Sequence, residues 1–72
     1  MYKWTYIESC DLKAIAVLNS DLVIQFKNNT TYKYLKASIE FNNLLNSGSK
    51  GKYFHSNIKN KYSFLKVVDN ND

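Results

Sequence analysis

The residues best suited to bind a ligand lie where a helix should begin, in the second half of the chain. Ser49-Lys50-Gly51-Lys52 combines a capping serine, two lysines and a glycine that permits close approach. Free backbone N–H groups and the helix dipole attract anions at such a position. Further polar side chains in or just after this helix extend the candidate site, which we call the helix-start site. They are Tyr53, His55, Lys59, Lys61 and Tyr62.

Each of these residues also has an ordinary structural explanation. Ser49 can simply cap the helix, and Gly51 can simply allow close packing. The rings of Tyr53 and Tyr62 can fill the core. A lone histidine such as His55 is most often a surface residue. The residue types alone leave the ligand-binding and the structural interpretations open.

Catalysis and metal binding have little support in the sequence. The chain has no paired-carboxylate motif, no nucleophile with an evident base and no Walker-type phosphate loop. Cys10 and His55 are the only thiol and the only imidazole, which is too few for a zinc site. We therefore expect no enzyme activity, no metal and no cofactor, and we expect Cys10 to be a small apolar filler.

Positive charge is concentrated in the middle of the chain. The formal net charge is +4, and all ten basic residues are lysine. Residues 27–66 hold eight lysines against Glu40 alone, a net of +7, whereas residues 1–26 carry −1 and residues 67–72 carry −2. Such a block is typical of a surface that binds a polyanion, although lysines also serve solubility. Without arginine, anion contacts must come from lysine, backbone N–H and hydroxyl groups.

The length of 72 residues predicts one domain with a small core. Self-association would add buried apolar area, so a homo-oligomer and a monomer both stay open. The N-terminus lacks the apolar run of a signal peptide, no segment approaches transmembrane length, and a single cysteine fits a reducing compartment. These features predict a cytoplasmic protein. The polar tail, residues 69–72, should fray.

The first half of the chain predicts a β-meander. Residues 12–18 are apolar and strand-like, and residues 22–27 alternate, with Ile24 and Phe26 on one side. Residues 30–35 are rich in the threonine and tyrosine that favour strands.

The turn that follows Phe26 decides which way Tyr32 and Tyr34 point. A two-residue loop would leave both rings exposed, where they could stack on nucleic-acid bases. A three-residue loop with Asn29 in the left-handed conformation would put both rings on the face of Ile24 and Phe26. We favour the longer loop because it collects the large groups on one face, and because asparagine tolerates that conformation.

Two short helices should follow the meander. Phe41 and Leu44 form the apolar stripe of the first helix, and Phe54 and Ile58 form that of the second. Residues 61–67 alternate again and allow a closing strand. The predicted fold is α+β, a small antiparallel β-meander of three to four strands with two short α-helices packed on one face.

Two sequence motifs, and the order in which they follow each other along the chain, resemble the KTSC domain. They are Tyr32-Lys33-Tyr34 and Ser49–Phe54, the latter followed by Ile58 and Tyr62. The KTSC domain is a short module that occurs at the C-terminus of some lysyl-tRNA synthetases and as a stand-alone small protein. The resemblance covers about residues 8–65, implies the fold described above, and makes RNA the ligand usually suggested.

Three positions depart from the usual pattern of that family. Its members usually have glycine at Asn29, which agrees with a left-handed turn there. They commonly have asparagine at His55, so the resemblance implies no general base. They usually have Val-Pro where this chain has Lys36-Ala37. The resemblance therefore leaves the approach to the first helix undefined.

Two functions stay open from the sequence. The first is a small non-enzymatic module that binds RNA or another phosphate-bearing ligand through a basic surface, with strong salt dependence. The second is a phage- or mobile-element-encoded protein that inhibits a host defence protein or sequesters a nucleotide signal. Small size and a composition typical of AT-rich codons allow the second function. A polymer binder should prefer long ligands, whereas a nucleotide binder should gain nothing from length.

Overall fold

The computed structural model describes residues 3–9 and 11–67, so Cys10 and the predicted frayed tail lie outside the described residues. Its five strands form one antiparallel sheet in chain order, and two helices lie between the fourth and fifth strands. The elements are β1 (Thr5–Tyr6), β2 (Leu12–Leu18), β3 (Asp21–Phe26), β4 (Thr31–Tyr34), α1 (Glu40–Leu45), α2 (Lys50–Asn57) and β5 (Phe64–Val67).

The antiparallel sheet and the two helices agree with the predicted α+β class, but the sheet has five strands instead of three to four. The strand that the sequence did not reveal is β1. It has only two residues, Thr5 and Tyr6, which pair with Ile15 and Ala14. Two residues are too few for an alternating pattern to be recognised. The expected closing strand is present as β5.

The turn between β3 and β4 has the three-residue form that we favoured. The N–H of Phe26 donates to the carbonyl oxygen of Thr30 at 2.8 Å, and Asn29 has a φ of 71°. In the resulting register, Ile24 lies directly opposite Tyr32. Both tyrosines of β4 therefore share the face of the large residues of β3, as predicted.

Both helices pack on this inner face of the sheet. Leu44 of α1 and Phe54 of α2 are buried there, whereas Phe41 is only partly buried. The buried cluster consists of Leu12, Ile15, Leu22, Ile24, Tyr34, Ala37, Leu44, Phe54 and Ile58. Complete burial of such a leucine, isoleucine or phenylalanine contributes about 1.5–3 kcal/mol each. No helix in residues 3–9 and 11–67 is long and apolar enough to cross a membrane.

Candidate functional site

The first part of the helix-start site, Ser49–Lys52, lies at the N-terminus of α2, where it lines a cleft of about 350 Å³ together with His55. Ser49 holds the N-cap position, but its side chain makes no capping hydrogen bond in the described part of the chain. The Nζ of Lys50 donates to the carbonyl oxygen of Ser47 at 3.1 Å. A Cβ at Gly51 would lie 3.3 Å from the Oγ of Ser9. Gly51 therefore permits close packing, and Lys50 already has a partner.

The fold also brings carboxylates into this cleft. Glu8 and Asp11 line it together with Lys50 and Lys52. The Nε2 of His55 lies 3.6 Å from the Oδ2 of Asp11. Two carboxylates beside two lysines cancel much of the positive potential, so an anion is attracted less than the motif alone suggests. The motif could not reveal this, because Glu8 and Asp11 lie near the other end of the sequence.

Tyr53 and Tyr62, predicted as ligand-binding residues, are held by a carboxylate. The Tyr53 hydroxyl donates to Oε1 of Glu40 at 2.5 Å, and the Tyr62 hydroxyl donates to Oε2 at 2.9 Å. We call this arrangement the Glu40 clamp. It joins α1, α2 and the segment before β5, and both rings pack against the core. The two hydroxyls are therefore engaged within the fold.

The Glu40 clamp is ionised at neutral pH. Partial burial raises the pKa of Glu40, but the hydrogen bonds from Tyr53, Tyr62 and Asn43 together outweigh burial and hold this pKa below its ordinary value. The hydrogen bond to Glu40 in turn raises the pKa of each phenol, with burial adding to the effect. The clamp thus consists of an ionised carboxylate that accepts hydrogen bonds from two neutral phenol hydroxyls.

A second cleft, of about 450 Å³, opens between the inner face of the sheet and the second half of α2. We call it the aromatic cleft because five of its lining residues are phenylalanines or tyrosines. It is lined by Phe26, Tyr32, Tyr34, Phe54, His55, Lys59, Asn60 and Phe64.

Several pairs of rings in the aromatic cleft contact each other edge to face. The Tyr32 ring lies 5.8 Å from that of Phe26 and 5.5 Å from that of Phe64, at interplanar angles of 87° and 82°. The Tyr34 ring lies 5.5 Å from that of Phe54. Phe64 is 52% exposed and forms the outer wall. Such a cleft presents ring surfaces on which a flat ligand can stack.

Tyr34 lies deepest among the tyrosines of this cleft. It is 4% exposed, and its hydroxyl has no hydrogen-bond partner among the described residues. No fully buried side-chain polar atom in that part of the chain lacks a partner, so this hydroxyl keeps some contact with solvent, and Tyr34 lines the cleft. Burial, followed by the proximity of Tyr32, raises the pKa of Tyr34 to about 12. The phenol therefore stays neutral and can both donate and accept.

One lysine lines the aromatic cleft, and a second lies on the strand next to one of its tyrosines. Lys59 lines the cleft, and Lys66 lies directly opposite Tyr32, on the same face of the sheet. Lys61, two residues after Lys59, is exposed. None of the described residues that line this cleft is acidic. His55 lines both clefts.

The structure thus divides the predicted site residues among four places. Ser49–Lys52 line the cleft at the N-terminus of α2, Tyr53 and Tyr62 belong to the Glu40 clamp, Lys59 lines the aromatic cleft, and Lys61 is exposed beyond α2. His55 lines both clefts. The sequence did not indicate Lys66 or Asn60 as site residues, and Phe64 was expected only as part of a strand. The signal that could have found Lys66 is its pairing with Tyr32, which requires the register of β5.

Two comparisons relate the chain to known proteins. The sequence model of the KTSC domain matches residues 17–62. The crystal structure of a KTSC domain protein from Yersinia pestis is similar to this one, with a TM-score of 0.76 and 28% sequence identity, over 94% of this chain and 100% of that chain. A search of curated proteins gives no match.

Proposed function

We propose that this chain, which belongs to the KTSC domain family, is a small non-enzymatic module that binds single-stranded nucleic acid, RNA in the first place. One arrangement carries the proposal. The rings of Tyr32 and Phe64 line one cleft together with Lys59, and Lys66 lies opposite Tyr32 on the same face of the sheet. Proteins that bind single strands commonly combine aromatic rings, on which bases stack, with a positively charged path for the backbone.

The form of the cleft favours single strands over duplexes. The bases of a duplex are stacked and paired, so their faces are not available to protein side chains. Bases in single-stranded RNA can be splayed out and stacked on aromatic rings. RNA is preferred over DNA as the first ligand to test, because the resemblance to the family suggests it.

The lysines around the cleft would supply the phosphate contacts. Lys59, Lys61 and Lys66 can each neutralise one phosphate as a point charge, since the chain has no arginine. For single strands, the logarithm of affinity falls with the logarithm of salt concentration by about 0.7 per phosphate contact. Three contacts predict an affinity loss of about tenfold when the salt concentration is tripled.

The size of the cleft supports a second candidate function, the sequestration of a small nucleotide. A volume of about 450 Å³ is in the range of small-molecule pockets. It would hold one base with its sugar more readily than a run of bases. Ligand length separates the two candidates, because a sequestering protein should bind a mononucleotide as tightly as an oligomer.

Fluorescence anisotropy with single-stranded RNA of two, six and twelve nucleotides tests the proposal. The double variant Lys59→Glu and Lys66→Glu should bind RNA at least tenfold more weakly than the parent. Lys36→Glu is the matched single-charge control, because Lys36 is exposed and lines neither cleft. Lys36→Glu reverses one charge and the double variant reverses two. Twice the effect of Lys36→Glu on the logarithm of RNA affinity therefore gives the non-specific effect of the double variant.

Failure of the parent to bind any of these RNAs at low salt would overturn the proposal. Equal affinity of the double variant and the parent would also contradict it. A protein-interaction module, for example an inhibitor of a host protein, would then be the alternative to pursue.

A further inference from the structure

We infer that the aromatic cleft is a subsite for one nucleobase, and that the polar edge of this base hydrogen-bonds the Tyr34 hydroxyl. The inference rests on the proposed function. It specifies that the base of the ligand enters the cleft and that the Tyr34 hydroxyl contacts this base. Phosphate binding by lysines does not require this hydrogen bond between the base and Tyr34.

The first observation is the unused hydroxyl. Buried tyrosine hydroxyls usually have a hydrogen-bond partner. In this chain the hydroxyls of Tyr53 and Tyr62 both donate to Glu40. The hydroxyl of Tyr34 has no partner in residues 3–9 and 11–67, although its side chain is more buried than theirs. A phenylalanine would fill the same space, so packing does not explain why an oxygen stands at this position.

The second observation is the order of groups from the bottom of the cleft to its mouth. Tyr34 and Phe54, at 4% and 2% exposure, form the bottom. Phe64, at 52% exposure, and the exposed Lys59 stand at the mouth. A ligand that fits this order has a flat ring at one end and an anionic group at the other. A nucleotide has this form, with its base directed inward and its phosphate directed outward.

The third observation is the chemistry of the Tyr34 hydroxyl. The phenol is neutral at physiological pH, so it can donate to a ring nitrogen or carbonyl and accept from an amino group. Each nucleobase offers such groups at its edge. One hydroxyl of this kind therefore detects that a base is present but discriminates weakly among bases.

The test uses the full chain and the variant Tyr34→Phe, which removes only the hydroxyl. Because this hydroxyl has no partner in the described part of the free protein, the variant should unfold at the same denaturant concentration as the parent. Its affinity for the RNA hexamer should fall by about three- to tenfold, the usual loss for one hydrogen bond. Tyr6→Phe is the matched control, because Tyr6 is 68% exposed and lines neither cleft.

A hexamer of the same length with abasic sugars separates this inference from the proposed function. The parent should bind it at least tenfold more weakly than the normal hexamer, since stacking is lost. Tyr34→Phe should not weaken abasic binding further. Adenosine 5′-monophosphate and adenosine form a second arm, in which shifts of the Tyr34 ring protons in NMR spectra report entry of the base directly.

Suppose that the parent binds RNA, that Tyr34→Phe binds it equally well, and that the parent binds the abasic hexamer as tightly as the normal one. The proposed base subsite is then wrong, while phosphate binding stands. If the parent binds none of the four probes, both the subsite and the proposed function are overturned. Weakened RNA binding by Tyr34→Phe, with unchanged abasic binding, supports the subsite.

Discussion

Tyr32 on β4 lies directly opposite Lys66 on β5, so a half-buried ring that lines the aromatic cleft and a lysine share the inner face of the sheet. Two further contacts fix the ring, since Phe26 and Phe64 each meet it edge to face. The arrangement places a stacking surface and a positive charge within reach of one nucleotide.

The Tyr34 ring should contribute strongly to stability, whereas its hydroxyl should not. Tyr34→Ala removes a ring that is 4% exposed and should lower the free energy of unfolding by about 3 kcal/mol. Tyr34→Phe should leave it within about 0.5 kcal/mol of the parent, because no hydrogen bond to a described residue is lost. Urea denaturation of both variants gives these values. A Tyr34→Ala variant as stable as the parent would show that the ring is not part of the core.

The turn at Asn29 should prefer glycine. Asn29 has a φ of 71°, where glycine carries no steric penalty, so Asn29→Gly should be neutral or should stabilise by up to about 1 kcal/mol. Asn29→Val, with a branched Cβ, should destabilise by about 1–3 kcal/mol at this φ. Thermal unfolding of the pair tests the turn. The opposite order of stability would contradict a left-handed residue at this position.

The turn and the strand pairing are the parts of the fold that the sequence predicted best. The tolerance of Asn29 for a left-handed conformation and the gathering of the large residues on one face favoured the three-residue loop, and the loop length decided the faces of Tyr32 and Tyr34. The two-residue strand β1 escaped prediction because its pairing depends on where β2 lies in space. Local sequence could not supply that information.

The site was predicted less well than the fold, because charge along the chain does not report charge in space. Lys33, from the same basic block, lies on the other face of the sheet, with its Nζ 3.9 Å from the Oδ2 of Asp21. Lys66 meets Tyr32 only through the register of β5. Tyr34 was correctly assigned to the core, whereas Tyr32 is only partly buried. The packing of these rings leaves a cleft whose shape follows from tertiary structure.

The two clefts should differ in their contribution to anion binding. Lys50→Glu with Lys52→Glu makes the same charge change as Lys59→Glu with Lys66→Glu. The first pair lies beside Glu8 and Asp11, so its substitution should weaken RNA binding by less than the second. Anisotropy at about 50 mM and 150 mM salt compares them. A larger loss of RNA affinity from Lys50→Glu with Lys52→Glu would indicate that RNA binds at the N-terminus of α2 instead of in the aromatic cleft.

The Glu40 clamp should make stability depend on pH in the acid range. The pKa of Glu40 is lower in the folded protein than its ordinary value, so the clamp stabilises fully above that ordinary value. This contribution is lost as the pH falls through the lowered pKa, where the folded carboxylate takes up a proton. Glu40→Gln should therefore be less stable than the parent at pH 7, and the difference should shrink in acid.

Urea denaturation of the parent and Glu40→Gln across this pH range measures the effect. Glu8→Gln is the control, since Glu8 is exposed and makes no hydrogen bond to a residue in 3–9 or 11–67. A stability difference that stays constant from neutral to acid pH would show that the clamp does not depend on ionised Glu40.

An NMR titration of the isotopically labelled chain with a single-stranded RNA hexamer tests the central claim most directly. We predict that the largest shifts fall on the side chains of Tyr32, Tyr34 and Phe64 and on the backbone of Lys59 and Lys66. Shifts confined to Ser49–Lys52, or no shifts at low salt, would contradict the claim that the aromatic cleft binds RNA.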